Sequence, residues 1–302
     1  MQLKYCFKKE WSLFSRTGRI FGVIAALIFF AVSNPLLFKF TGTVLEQMNS
    51  LPGTTFASVA QSTDFSGISP NVDSSVQNGL GIDYSTMADM YSDSEMMFGV
   101  TMAYVCSNSL LVIMLLLMPA AGGEQKKRSM IVPLCSGLKY ENYLLSKFII
   151  YPIFMLVSTF LSGLLAGALC NGLFPNNKIP IDLMLAAAIF AAIYMLFITS
   201  VYLSVGICTS HPGIMTAAVY LGTIILQSLL EGLGLSQFHP FTLLTLASGG
   251  MFTEGFVLSE NILNISVSIG LSLVISVLMY FLALGVLNAK KINNKEEVKP
   301  EF

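Results

Sequence analysis

Six stretches of this chain stay apolar for about twenty residues or more, and none shows the alternation of a strand. They fall near 20–40, 97–121, 148–172, 183–207, 214–235 and 262–288. A hydrocarbon core about 30 Å thick takes roughly 20 such residues per helical span, whereas barrel strands are half as long and alternate. The pattern predicts an all-α polytopic membrane protein with six transmembrane helices. Ahead of the first span, Leu3, Phe7, Trp11 and Phe14 recur at helical spacing, with Lys4, Lys8, Lys9 and Arg16 elsewhere. That spacing predicts an interfacial amphipathic helix over 3–17, its apolar stripe toward lipid and its cations toward an anionic leaflet. A soluble extension is the alternative.

Composition agrees with the pattern. Hydrophobic residues are 54% of the 302 and charged residues 11%, against about 45–50% and 25% in soluble domains. Mean hydropathy is +0.73. A formal charge of −1 lacks the basic excess of a nucleic-acid binder. The placement of cations matters more than their number. The amino-terminal segment, the second connection and the tail hold 14 of the 16 Lys and Arg residues, and only Lys39 and Lys178 fall on the other side. The positive-inside rule then places both termini in the cytoplasm.

That orientation assigns the connections. Residues 41–95 form an acidic, Ser-, Asp- and Gly-rich outer loop, and 122–147 an inner loop. Residues 236–261 lie outside, apolar enough to predict a re-entrant hairpin before the last span. Residues 289–302 are a cytoplasmic tail. The apolar run at the start is too long for a signal-peptide core and lacks a clean cleavage site, so it is expected to stay as a span. The inner loop joins Glu124, Lys126, Lys127 and Arg128 to an apolar patch, Met130, Ile131 and Leu134 among it. Such a segment is either a docking surface or a solvated loop with one buried turn.

Motifs for chemistry are lacking. The chain has no GxxxxGK[ST] loop to cradle nucleotide phosphates, and no HExxH, GxSxG or SxxK. Two distant histidines and five scattered cysteines predict neither a metal site nor a disulfide framework. The expectation is a protein with no catalytic residues and no cofactor of its own. Polar residues inside the spans are the informative ones. Tyr220, Thr223, Gln227 and Glu231, with Thr216, share one face of the fifth span, and Thr101, Tyr104 and Asn108 one face of the second. Asn108, Gln227 and Glu231 belong to the outer half of the membrane. These faces line either a solvated path or a seam between subunits, or else merely hydrogen-bond between helices. Gly163 and Gly167 form a GxxxG, whose default role is close helix packing.

The inner loop carries a resemblance. Glu124, the basic cluster, Met130-Ile131-Val132, Gly137-Leu138-Lys139-Tyr140 and then Tyr143 to Phe148 resemble the permease subunits of type-two ABC exporters. In those subunits an inner Glu begins a coupling helix, and a Lys-Phe pair enters the third span. Phe7-Lys8-Lys9-Glu10, Asn34-Pro35-Leu36-Leu37 and His239-Pro240-Phe241 are similar to the sodium-exporter-like and antibiotic-export branch. The chain departs from many members at Arg128-Ser129 and lacks the usual Arg after Gly137.

The resemblance implies two paired permeases, either two copies or a copy and a paralogue, each resting on a separate cytoplasmic ATPase. That ATPase would hold the ATP and magnesium. It further implies ATPase contact through Glu124, Lys126, Arg128, Met130, Ile131 and Leu134. A membrane anchor or sensor on the same scaffold, and an ion-coupled secondary transporter, are the alternatives.

Overall fold

Long apolar runs leave the backbone no water to bond, so each must satisfy its own amides, and a helix does so within one segment. The computed structural model describes residues 2–50, 90–118, 139–209, 212–233, 238–253 and 256–296. They form α1 (Gln2–Arg16), α2 (Arg19–Ser50), α3 (Ser94–Met118), α4 (Tyr140–Leu173), α5 (Ile181–Cys208), α6 (Pro212–Gly232), α7 (Pro240–Ala247) and α8 (Ile262–Glu296). A 3₁₀ turn covers Gly250–Phe252, and no strand occurs among the described residues. Six helices, α2 to α6 and α8, are long and apolar enough to cross a membrane.

Several helices outrun the expected spans. α2 continues through Pro35 to Ser50, α4 begins at Tyr140, and α8 runs to Glu296. Parts of the expected outer loop, inner loop and tail are therefore helical. Hydropathy marks where a helix meets lipid, not where its hydrogen bonds stop, so a polar extension such as Tyr140–Lys147 reads as loop. The rest of the acidic outer loop, 51–89, lies outside the described residues, as do 119–138 and 297–302.

α5 is the centre. It packs against α3, α4, α6, α7 and α8, and half of its apolar window is buried. Its closest neighbour is α4, and the GxxxG explains the approach. A Cβ added at Gly163 would stand 3.0 Å from that of Ala188, and one at Gly167 would overlap the side chain of Met184. The two glycines let α4 lie directly on α5.

Polar capping fixes the loops at the end where α3 begins. The Asp93 carboxylate accepts from the Glu95 and Met96 amides at 2.9 and 3.2 Å, opening α3. The Asn177 side chain donates to the same carboxylate at 2.8 Å, and the Ser94 hydroxyl to the Phe174 carbonyl at 2.9 Å. The start of α3 is thereby clasped to the α4–α5 turn. In the segment expected to re-enter the membrane, the His239 ring accepts from the Thr242 amide at 3.2 Å, and Pro240 starts α7. Phe241, Leu243, Leu244 and Ala247 of this short helix are buried, with Phe241 against Tyr194 and Phe197 of α5.

Candidate functional site

Two places gather polar groups within this apolar bundle. The first is the corner where α1 meets the start of α4. After Arg16 the chain turns at Gly18, whose φ of +68° lies in the left-handed region open to glycine, and α2 begins at Arg19. α1 packs mainly on α4. Its buried face is Cys6, Glu10 and Phe14, spaced by four, with Leu3 and Phe7 half-buried beside it.

Phe14 corrects an expectation. It is not turned to lipid but fully enclosed, edge-on to Tyr151 and Phe154 of α4 at 4.9 Å each. Trp11 is 54% exposed. The stripe read from spacing thus splits, because a neighbouring helix claims one edge of it and leaves the other open.

The same corner holds an ion pair that hydropathy hides. Lys147 Nζ lies 3.6 Å from a Glu10 carboxylate oxygen, and both side chains are buried at 0% and 1% exposure. The Lys147 ammonium also stands 4.8 Å from the centre of the Tyr143 ring, with that of Lys9 at 5.8 Å. Desolvating two charges costs about as much as their attraction returns, so such a pair contributes register more surely than stability. It fixes how α1 sits on α4. Burial pushes the Cys6 thiol above its ordinary range; Lys9 opposes the shift and Glu10 adds to it.

Charge counting missed this pair by treating Lys147 as one more inner-loop cation and by leaving Glu10 without a role on the amino-terminal helix. A signal was present in phase. Tyr143, Lys147 and Tyr151 follow at intervals of four, as do Cys6, Glu10 and Phe14.

The second place is the seam between α6 and the rest. Thr216 is buried, and Tyr220, Thr223 and Gln227 are half-buried on the same side. Tyr202 of α5 lies beside Tyr220 and Thr223, and Tyr194 is within electrostatic reach of Tyr202 and Tyr220. Thr223 donates to the Tyr220 carbonyl at 2.8 Å, a bond within α6. A small crevice opens among Met114 and Leu117 of α3, Thr199, Tyr202 and Gly206 of α5, and Thr216. The face read from the sequence of α6 therefore points into the protein.

The stripe on α3 does not join it. Thr101 is buried and bonded to the Met97 carbonyl, while Tyr104 and Asn108 are exposed, Tyr104 lying near Phe38 of α2. Glu231 occupies the last turn of α6, its side chain outside the description. The expected ATPase contacts, Glu124, Lys126, Arg128, Met130, Ile131 and Leu134, lie outside the described residues. Among the described residues no group of three His, Cys, Asp or Glu is placed to hold a metal ion. Set against known proteins, the chain matches no family model, no curated protein and no solved structure.

Proposed function

We propose that the chain is the transmembrane permease subunit of an ATP-binding-cassette exporter, resident in the cytoplasmic membrane with both termini inside. A separate ATPase would supply the work, holding ATP and magnesium, and a second permease copy or paralogue would complete the path. One observation carries the reading. The helix that precedes the first span is locked by Glu10 and Lys147 onto the start of α4, the helix that follows segment 119–138.

A push delivered to that segment therefore reaches α4 and α1 together, and through Gly163 and Gly167 it reaches α5. A partner can drive the spans only if it binds their two arrangements differently. In this reading Tyr220, Thr223 and Gln227, facing Tyr194 and Tyr202, line the path. Asn108 serves the surface between permeases, since an outward amide in lipid is better placed against a partner helix. The segment around α7 dips into the membrane from outside.

Purification of the full chain with an ATPase encoded beside its gene, followed by reconstitution in proteoliposomes, tests the proposal. The expected result is cargo movement that needs ATP. Glu124→Ala, or deletion of Met130 to Leu134, should weaken ATPase association and abolish efflux. Efflux without the ATPase, or association untouched by both changes, overturns it.

A further inference from the structure

The buried ion pair has an effect on the opposite side of α1. Glu10 is the only acidic residue between Met1 and Arg19. With its carboxylate turned inward onto Lys147, nothing negative remains on the helix surface. The outward side presents Lys4, Lys8 and Arg16, and between these cations stand Tyr5, 65% exposed, and Trp11, 54% exposed. Arg16 sits in the last turn, where the helix dipole adds no further positive field.

We propose that this outward face of α1 is a docking surface for anionic phospholipid headgroups. Two independent features select lipid. Ammonium and guanidinium groups pair with phosphate, and each basic residue near a membrane surface raises occupancy by about fivefold. Indole and phenol rings favour the headgroup layer, where one part stays wet and the other meets acyl chain. The face lies on the helix that leads into the first candidate span, and Glu10 ties that helix to Lys147, just ahead of the apolar run 148–172 of α4, which sets it by the edge of a bilayer that α2 and α4 would cross. The inference needs the chain to be in a membrane; it does not need the exporter reading.

Trp11 is the only tryptophan in the chain, so its fluorescence reports from this surface alone. The full-length protein is placed in nanodiscs of phosphatidylcholine containing an equal small fraction of either brominated phosphatidylglycerol or brominated phosphatidylcholine. At low salt the brominated phosphatidylglycerol should quench Trp11 with an apparent preference of tenfold or more. The combined change Lys4→Gln, Lys8→Gln and Arg16→Gln should bring that preference close to one, as should 0.5 M salt, roughly, through screening.

Equal quenching by both lipids in the unchanged protein overturns the proposal. So does an equal loss of preference on changing Lys290, Lys291 and Lys295 to Gln, because the attraction would then belong to the whole inner surface. Shielding of Trp11 by a soluble protein partner, with neither lipid quenching it, would assign the face to that partner and overturn the proposal too.

Discussion

α5 and α6 follow one another across a short turn, and both are apolar enough to span a bilayer, yet they are held in opposite ways. Half of the apolar window of α5 is buried inside the protein, against 6% for α6. α5 is fixed by shape, with Ala188 and Met184 seated on glycines and Phe197 against Phe241. α6 keeps Ile214, Leu221, Ile225 and Leu229 outward and turns Thr216, Tyr220, Thr223 and Gln227 inward. In lipid no hydrophobic force pulls such outward leucines back, and each interhelical hydrogen bond averages about 0.6 kcal/mol. The difference teaches that close contact, not apolarity, decides which helix is firm here. Among the six candidate spans α6 is the least buried in the protein.

The comparison breaks hardest on the firm side, at the ion pair that seats α1 on α4. Lys147→Met leaves Glu10 charged in an enclosed site and should lower stability by about 3–5 kcal/mol. Thermal unfolding of the purified protein in detergent measures it, and the double change with Glu10→Leu should recover most of the loss. Peptide-resolved alkylation gives a second readout: Cys6, slow in the intact protein because burial disfavours its thiolate, should react faster in the single variant.

Next comes the glycine contact. Gly163→Val should cost about 1–3 kcal/mol by forcing α4 off Ala188. Gly167→Ala should cost less, because it meets the flexible end of Met184. The smallest effect belongs to α6. Thr223→Val should alter stability by about 0.6 kcal/mol or less, while an efflux assay in proteoliposomes should show a severalfold change if the seam lines the path. A stability loss as large as that of Gly163→Val would place α6 among the firm helices and remove the contrast.

The sequence made the spans legible because roughly twenty apolar residues cannot be anything but membrane-length helix or buried core. It also placed Tyr220, Thr223 and Gln227 on one side of α6 and marked Gly163 and Gly167 for packing. Partners were another matter. A stripe is a property of one helix, whereas Phe14 is enclosed because α4 arrives beside it, and Asn108 stays exposed even though α6 packs on α3. Lys147 looked like a cation of the inner loop because its composition is the same whether α4 starts at residue 140 or 148. Only the assembled corner shows that it faces Glu10.

The seat of α5 on the two glycines has a mechanical meaning. The contact lies toward one end of α5, at Met184 and Ala188, while Gly206 beside the crevice is eighteen residues farther along. No proline interrupts the helix between them, so an unbroken rod about 27 Å long joins the glycine seat to the crevice. Over that length a change of about 6° in the direction of α5 at its seat would displace Gly206 by about 3 Å, roughly the diameter of a water molecule.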